Sequence, residues 1–454
     1  MNFSTHRFRA RAVRFAANPS AWAAGVSLTI KLVSSALNIV MLTIIARHTS
    51  AAEFGRFALS FNAVSLLAVI AGAGQERLIL RSWNEYLAGK RYDLARGALI
   101  FGVGVSFAAP VILAAVLLPA AFLTDGTIPA ASALVLLVVL TLYIFALHLN
   151  RALVGLVAGD GHEITWRVIV IAAVLMLGGA GRLIEAETVL WLFSAGMAAA
   201  LLCQVVTASV WLPAEIRSVP ARTLLKLWML RSVKLASGSI LEAAQQSLEV
   251  VLIGVLIDPV AAGGYFVASR IANAFSMISG GLNSYATRQI SSDYYERGAL
   301  GLVHVVRTVA IVSAVLVAAG AVLIATAGTQ ILALFGAGYV EQYPVLILLC
   351  IGTAAGALAG PAPSLLVLTG REGTYSVIIA IMLALRLVAL VVLARWFGAV
   401  GVAVASAGSS ICTAVVLNLA CRRLIGVDPA VSALLVARKR ADDLGYPSQN
   451  PGGS

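Results

Sequence analysis

Charged side chains are scarce in this sequence. Asp, Glu, Lys and Arg together make up 11% of its 454 residues, whereas they make up about 25% of a typical soluble domain. An ordinary soluble globular fold is therefore excluded. The apolar residues, which are 60% of the chain, fall into stretches of roughly 18 to 28 residues, long enough to cross about 30 Å of hydrocarbon as α-helices. The sequence predicts an all-α protein that crosses a membrane many times.

Residues that bind metals or form disulfides are also few. The four cysteines lie in apolar segments without the spacing of metal ligands, and the five histidines are scattered. The sequence has no phosphate-binding P-loop, no Gly-x-Ser-x-Gly motif and no His-Glu-x-x-His motif. We predict a protein that is not an enzyme and has no cofactor. Its energy would come from an H⁺ or Na⁺ gradient or from the gradient of its own substrate.

The formal net charge of +12 fits a membrane protein. On a soluble protein this excess would suggest a nucleic-acid partner, but membrane proteins concentrate Lys and Arg in cytoplasmic loops. With the N-terminus placed in the cytoplasm, about 23 of the 32 Lys and Arg residues fall on the cytoplasmic side and about four on the other side. This bias predicts an even number of membrane helices, two cytoplasmic termini and no nucleic-acid partner.

Twelve apolar segments, named spans one to twelve, are predicted to be membrane helices. They cover 21–46, 57–80, 97–122, 131–156, 165–184, 188–212, 235–257, 262–287, 302–327, 343–368, 373–394 and 398–422. The chain then divides into a basic cytoplasmic N-terminus (1–20), a first six-helix bundle (21–212), a cytoplasmic linker (213–234), a second six-helix bundle (235–423) and a cytoplasmic tail (424–454). We expect the linker to act as a hinge and the polar end of the tail to be disordered.

Short patterns repeat between the two predicted bundles. Residues 52–60 read AEFGRFALS and residues 261–269 read AAGGYFVAS, and Gly159 pairs with Gly370 where span four or ten turns into the next. Polar residues at i, i+3, i+4 and i+7 recur in spans one and seven, and each set would occupy one helical face. These are Lys31, Ser34, Ser35 and Asn38, and then Glu242, Gln245, Gln246 and Glu249. The repeats indicate duplication of a six-helix unit, with a central site between the halves.

Charged residues at membrane depth are the candidate functional residues, because each costs about 2.5–3.5 kcal/mol at a helix centre. Five are predicted to line a polar cavity, namely Lys31, Glu242, Glu249, Arg270 and Arg386. Pairing between the carboxylates and the cations is the structural alternative. The three cations outnumber the two carboxylates, which favours an anionic substrate such as a lipid diphosphate, because arginine binds phosphate through paired hydrogen bonds.

Other polar residues have two interpretations each. Arg77, at the predicted cytoplasmic end of span two, either extends to the membrane interface or makes a first contact with phosphate. Asn38, Gln245 and Gln246 either contact sugar hydroxyls or join helices by hydrogen bonds. Pro110, Pro361 and Pro363 are expected to interrupt spans three and ten. Gly352, Gly356 and Gly360, close to Pro361, indicate either a hinge or close helix packing.

Several segments of the sequence resemble a known family. The stretch NIVMLTIIARHTSAAEFGRFALSFNAVSLLAVIAGAGQERLILR, in which Ala46-Arg47 is followed by Phe54-Gly55, is similar to the first two helices of polysaccharide transporters. LEVVLIGVLIDPVAAGGYFVASRI resembles the start of their second half, and LTGREGTYSVIIAIM with FGAVGVAVASAGSS resembles their last two helices. The family is that of the polysaccharide transporters and O-antigen (Wzx-type) flippases, within the multidrug/oligosaccharidyl-lipid/polysaccharide (MOP, MATE-like) exporter superfamily.

The resemblance implies a V-shaped fold of two six-helix bundles in the bacterial inner membrane. It implies export of undecaprenyl-diphosphate-linked oligosaccharide units for the O-antigen of lipopolysaccharide, for capsule or for exopolysaccharide, with a polymerase and a chain-length regulator as partners besides membrane lipids. Lys31, Arg270 and Arg386 would contact the diphosphate. Glu249 stands where many relatives have Asp, and with Glu242 it is a candidate for ion coupling or pairing. The chain lacks the two extra helices of lipid II flippases.

Two other functions compete with this interpretation. A multidrug/cation antiporter of the same fold would favour a cavity dominated by carboxylates and aromatic residues. A glycan polymerase or ligase would need a large external loop with catalytic residues, and no predicted external loop is long enough. The three cationic candidates therefore favour a flippase.

The twelve-helix topology can be tested with reporter fusions. We expect fusions after residues 220 and 430 to report a cytoplasmic location, because the linker and the tail carry the excess of Lys and Arg. Paired alkaline phosphatase and green fluorescent protein reporters measure this. A periplasmic signal at either position would contradict the topology.

Overall fold

The computed structural model describes residues 19–121, 129–179, 181, 183–273, 299–426 and 428–430. This part of the chain is helical and contains no strand. The helices are α1 (Pro19–His48), α2 (Ala51–Gly72), α3 (Gln75–Ala88), α4 (Tyr92–Ala121), α5 (Ala130–Leu153), α6 (Leu156–Gly178), α7 (Ala186–Trp211), α8 (Ala214–Ser218), α9 (Leu225–Leu256), α10 (259–273), α11 (Ala299–Phe335), α12 (Tyr343–Leu358), α13 (Ala362–Leu368) and α14 (Glu372–Leu424), with a 3₁₀ turn at Ala337–Gln342.

The predicted all-α membrane fold is confirmed. Ten segments of the described chain are long and apolar enough to cross a membrane. The last of them, α14, has 53 residues and would be about 80 Å long as one helix. Gly398 has non-helical angles (φ 60°, ψ −143°) and breaks this helix into two parts. The two parts correspond to spans eleven and twelve. Of span eight (262–287), residues 262–273 belong to the described part and residues 274–287 lie outside it.

Several predicted boundaries were wrong. Span five is α6, which begins at Leu156, nine residues before the predicted start at 165. Span two is divided into α2 and α3, because Ala73 (φ 47°) and Gly74 (φ 74°) adopt left-handed conformations. Span seven is α9 and begins at Leu225, ten residues before 235. Residues 225–234 were left out of the predicted span because their Lys and Arg residues lower the hydrophobicity of the segment. Lys and Arg are nevertheless good helix formers, so the helix extends through them.

The chain forms two compact units, Met1–Gly263 and Gly264–Ser454. The first unit therefore includes α9, the helix of span seven. In this unit α1 packs against α6, α2 against α9, and α5 against α7. The division of the chain into two six-helix halves at the linker, which follows from the repeats, stays a prediction.

Aromatic rings fill the contact between α2, α6 and α7. The ring centroids of Phe57 and Phe193 are 5.1 Å apart, those of Phe61 and Phe193 are 5.3 Å apart, and those of Trp166 and Phe193 are 5.5 Å apart. These separations lie in the range of favourable tilted ring pairs. The cluster fixes α2 against the helices that follow it in the chain.

The segment predicted to be a hinge is bound to the first unit. Arg96 Nη1 donates hydrogen bonds to the carbonyl oxygens of Arg217 and Val219, both at 2.7 Å. Ile216 is fully buried, and the buried Trp228 donates from Nε1 to the Tyr86 hydroxyl at 2.8 Å. Residues 216–228 therefore pack tightly against α3 and α4.

The first repeat places a glycine at a tight contact in each unit. A Cβ on Gly55 would collide with the carbonyl of Pro259, whereas a Cβ on Gly264 would lie 2.7 Å from Cδ of the Gln342 side chain. The second repeat is not equivalent in conformation. Gly370 lies in a turn with φ 78°, whereas Gly159 lies inside α6 and the turn before that helix is made by Gly155.

Span ten is interrupted as predicted, between α12 and α13, where Gly360 has φ 71°. A Cβ on Gly352 would lie 2.7 Å from Cα of Ala407, and one on Gly360 would collide with the Pro429 carbonyl. Close packing explains these two glycines. The predicted interruption of span three was wrong, because α4 continues through Pro110.

Replacement of Gly74 tests the break between α2 and α3. A Cβ there would lie 2.5 Å from the Ser232 carbonyl oxygen and 2.7 Å from the Ala236 nitrogen. The left-handed conformation alone costs a residue with a Cβ about 1–2 kcal/mol. We expect Gly74→Ala to lower the thermal unfolding temperature in detergent.

The matched control is Gly104→Ala. Gly104 lies inside α4, and a Cβ there would meet nothing within 4 Å. Ala at such a helical position stabilises by about 0.5–1 kcal/mol, so this variant should be at least as stable as the wild type. Equal stability of Gly74→Ala and wild type would contradict the close contact.

Candidate functional site

The predicted site residues belong to both compact units. Lys31, Asn38, Arg77, Glu242, Gln245, Gln246 and Glu249 are in the first unit, and Arg270 and Arg386 are in the second. Each unit is described separately below.

The first unit contains a polar cavity of about 270 Å³ between α2, α3, α4, α5 and α9. Three predicted residues line it, namely Arg77, Glu242 and Gln246. The other polar residues of its wall are Glu76, Ser106, Thr141, His148 and Ser239, which were not among the predicted site residues. The cavity therefore joins residues that are far apart in the sequence.

Arg77 and Glu242 form an ion pair across the cavity wall. Arg77 Nη2 lies 3.0 Å from Glu242 Oε2. Gly238, one turn before Glu242, leaves space for the guanidinium, since a Cβ there would lie 3.1 Å from Arg77 Nη1. Both side chains are exposed, so the pair contributes at most about 1 kcal/mol to stability.

Glu76 is the buried carboxylate of the cavity. Its side chain is 8% exposed, and its Oε1 accepts a hydrogen bond of 2.6 Å from the Ser239 hydroxyl. Glu76 was not predicted as a site residue because span two was predicted to be one continuous helix. The break at Ala73 and Gly74, which Glu76 follows, was not foreseen. The small residues Gly72, Ala73 and Gly74 were the available signal.

His148 connects the cavity with a network of charges on α5 and α6. Its Nδ1 donates to the Ile144 carbonyl at 2.9 Å, and its Nε2 accepts from Arg151 Nη1 at 3.3 Å. A carbonyl can only accept and a guanidinium can only donate, so His148 is the neutral tautomer with the proton on Nδ1. The histidine adds no charge to the cavity.

In this network the carboxylates of α6 form ion pairs with nearby arginines. Arg151 Nε lies 2.7 Å from Oδ1 of the fully buried Asp160. Glu163 lies near both arginines of the network, 3.5 Å from Arg151 Nη2 and 3.7 Å from Arg167 Nη1. The Ser34 hydroxyl of α1 donates to Glu163 at 3.1 Å. This contact ties α1 to α6 and gives Ser34 a structural role.

The remaining predicted residues of the first unit do not line the cavity. Lys31 and Gln245 are exposed, Asn38 is half-buried and Glu249 is buried. On α9 the predicted polar face is therefore divided between exposed residues and the buried Glu249. The cavity brings Arg77, Glu242 and Gln246 together and leaves the other four outside its wall.

The two predicted site arginines of the second unit lie within helices, Arg270 in α10 and Arg386 in α14. Cζ of Arg270 lies 4.7 Å from the ring centroid of Phe266, which is close enough for a cation–π interaction. Arg386 Nη2 donates to the Ser406 hydroxyl at 3.2 Å. One and two turns further along α14, Leu390 and Ala394 are buried, so Arg386 belongs to the packed side of that helix.

Comparison with known proteins identifies the fold. No family model matches the chain, and no curated protein sequence matches it either. Among solved structures, an inward-facing multidrug resistance transporter of the MATE family, in the MOP superfamily, has a TM-score of 0.62 at 15% identity over 94% of this chain and 100% of that chain. The lipid II flippase MurJ in an inward closed conformation has a TM-score of 0.68 at 12% identity over 93% of both chains.

A third similar structure is a MOP superfamily transporter from Pyrococcus furiosus, described as having a reversed polarity of its binding pocket. It has a TM-score of 0.56 at 14% identity and covers 88% of this chain and 93% of that chain. At these identities the likeness concerns the fold. The described helices share their fold with these MOP superfamily transporters, and ten apolar segments of membrane-spanning length among them are those of a multi-pass membrane protein.

The buried ion pair predicts a large effect of Asp160→Ala on stability. The substitution removes a carboxylate from Arg151, whose side chain is 16% exposed, and breaking a buried pair in this way costs about 3–5 kcal/mol. Thermal unfolding in detergent measures the loss. The control Glu215→Ala removes an exposed carboxylate and should change stability by less than about 0.5 kcal/mol.

A double variant separates charge from packing. Arg151→Met together with Asp160→Leu removes both charges and should recover most of the lost stability, because apolar residues of similar size replace buried pairs at little cost. An Asp160→Ala protein as stable as Glu215→Ala would contradict the role of the pair.

Proposed function

We propose that this chain is a flippase of the bacterial inner membrane that moves undecaprenyl-diphosphate-linked oligosaccharide units from the cytoplasmic to the periplasmic side. The product would serve O-antigen, capsule or exopolysaccharide synthesis, and a polymerase and a chain-length regulator would be its partners. Both termini would lie in the cytoplasm. The similarity of fold to a lipid II flippase supports a lipid-linked substrate.

The position of Arg386 is the observation that carries this proposal. The arginine lies 14 residues after the start of α14 at Glu372 and 12 residues before the break at Gly398, which is about 18–21 Å from either end. This is close to the centre of a hydrocarbon core of about 30 Å. A charge at that depth on the packed side of a helix is expensive and points to an anionic ligand.

The charge distribution of the second unit supports an anion. Its described residues contain three carboxylates, Glu341, Glu372 and Asp428. Glu341 lies in the 3₁₀ turn, Glu372 at the first residue of α14 and Asp428 after its end. The helix interiors of this unit thus carry arginine and no carboxylate over the described residues. Guanidinium groups bind diphosphate oxygens through paired hydrogen bonds, so Arg270 and Arg386 would hold the diphosphate, together with Lys31.

Glu242 and Glu249 are proposed to take part in ion coupling. Both lie on α9, and Glu242 pairs with Arg77. Binding of a proton or Na⁺ at either carboxylate would neutralise one negative charge on α9, while the charge of the substrate stays the same.

The alternative function is a cation antiporter of the MATE type. One observation favours it, because the cavity of the first unit contains two carboxylates, one guanidinium and a neutral histidine. This arrangement would attract a cation. The experiment below distinguishes the two functions.

Deletion of the gene followed by complementation tests the proposed function. We expect the deletion to abolish surface polysaccharide and to leave repeat units on undecaprenyl diphosphate at the cytoplasmic face. Arg386→Ala should fail to restore export, whereas Arg395→Ala, which removes an exposed arginine of the same helix, should restore it. Membrane levels of each variant are measured by immunoblot.

Three results would contradict the proposal. Wild-type export by a stably inserted Arg386→Ala protein would remove the diphosphate role of this arginine. Normal polysaccharide with increased sensitivity to cationic drugs in the deletion strain would establish the antiporter. Loss of polysaccharide without accumulation of lipid-linked units would place the protein at another step.

A further inference from the structure

We propose that the cavity of the first unit is a subsite for an uncharged, hydroxyl-rich group, a single sugar ring of the transported lipid, and that it excludes the diphosphate. This inference rests on the proposed function, because it assigns part of the same substrate. Its residues are Glu76, Ser106, Phe145, Ser239, Glu242 and Gln246.

The Ser106 hydroxyl indicates that the cavity binds a ligand. Ser106 lines the cavity from α4 and its side chain is fully buried, yet its Oγ has no hydrogen-bond partner. A buried hydroxyl without a partner costs about 1–3 kcal/mol. This Oγ has almost no accessible surface, so a change of the Ser106 rotamer is needed to turn it towards the cavity. There a group with its own hydroxyls would satisfy it as donor or acceptor.

The charge of the cavity excludes an anion. Glu242 is paired with Arg77, His148 is neutral, and the carboxylate of Glu76 is bonded to a neutral hydroxyl. One negative charge is therefore in excess. A diphosphate would meet a like charge in a space between apolar helices, where electrostatic repulsion is stronger than in water. Sugar hydroxyls, in contrast, donate well to carboxylates.

The wall offers several kinds of contact to one ring. The carboxylates of Glu76 and Glu242, the hydroxyl of Ser239 and the amide of Gln246 line the cavity from α3 and α9. Phe145 of α5 also lines the cavity, and its ring packs close to Gly102, where a Cβ would lie 2.6 Å from Phe145 Cε2. The electron-rich face of this ring attracts the polarised C–H groups of a sugar.

The size of the cavity favours a sugar over an ion. Its 270 Å³ correspond to about nine liquid waters, which is near the size of one ring with its substituents. The described residues contain no group of three His, Cys, Asp or Glu side chains that could hold a metal ion.

Sugar binding to the purified full-length protein tests this inference. The probes are a neutral hexose, a 6-deoxyhexose, an N-acetylhexosamine, a uronic acid and inorganic diphosphate, each titrated while thermal unfolding is followed in detergent. At least one neutral sugar should raise the unfolding temperature of the wild type. Glu76→Gln and Ser106→Ala should each weaken its apparent affinity about tenfold, and Ser106→Leu, which fills the cavity, should abolish binding.

Ser194→Ala is the matched control. Ser194 is a buried serine of α7 that bonds the Leu190 carbonyl and lies outside the cavity, so this variant should bind sugar like the wild type. The inference is overturned if no neutral sugar raises the wild-type unfolding temperature, if binding survives in Ser106→Leu, or if the stabilising probe that Ser106→Leu and Glu76→Gln lose is the diphosphate.

The sugar titration and the gene deletion fail independently. Sugar binding in a protein whose deletion leaves polysaccharide normal would retain the subsite and remove the flippase function. Accumulated lipid-linked units in the deletion strain, with no sugar binding to the purified protein, would retain the flippase and remove the subsite.

Discussion

The close approach of α9 to Gly74 is the contact on which the polar cavity of the first unit depends. At this point two backbones meet without a side chain between them, and the left-handed conformations of Ala73 and Gly74 turn the chain from α2 into α3. The next three residues of α3 then all face α9. Gln75 bonds Ser232, Glu76 bonds Ser239 and Arg77 bonds Glu242. A side chain at position 74 would push these partners apart.

The membrane helices could be predicted from the sequence, because a stretch of about 20 apolar residues has few other stable arrangements. The start of α9 could not be predicted in this way. Its first ten residues carry several cations, and what makes them part of the structure is the burial of Trp228 against α3 and α4. That contact joins residues more than 140 positions apart, and no local pattern reports it.

The candidate site could be predicted only in part, for a related reason. Polar periodicity pointed to α9, and Glu242 and Gln246 do line the cavity. The same periodicity pointed to Lys31 and Asn38, which lie outside its wall. Glu76 was missed because its direction depends on the break between α2 and α3. That break in turn depends on the packing of α9 against Gly74, which the local sequence does not show. Ser106 was missed because nothing in the sequence distinguishes a satisfied serine from an unsatisfied one.

The two units handle internal charge in different ways. In the first unit, Asp160 and Glu163 are matched by Arg151 and Arg167 within one network, so most of the electrostatic cost of burial is recovered locally. In the second unit, Arg386 donates a hydrogen bond to the Ser406 hydroxyl and Arg270 lies over the ring of Phe266.

The glycines of the first repeat have an evolutionary consequence. Gly55 lies against the backbone of Pro259, which cannot move aside, whereas Gly264 lies against the flexible end of Gln342. After a duplication, selection would therefore hold the first glycine in place while the second could drift to alanine or serine with a compensating change at its neighbour. An ancestral glycine of this turn would therefore be retained longer at position 55 than at position 264.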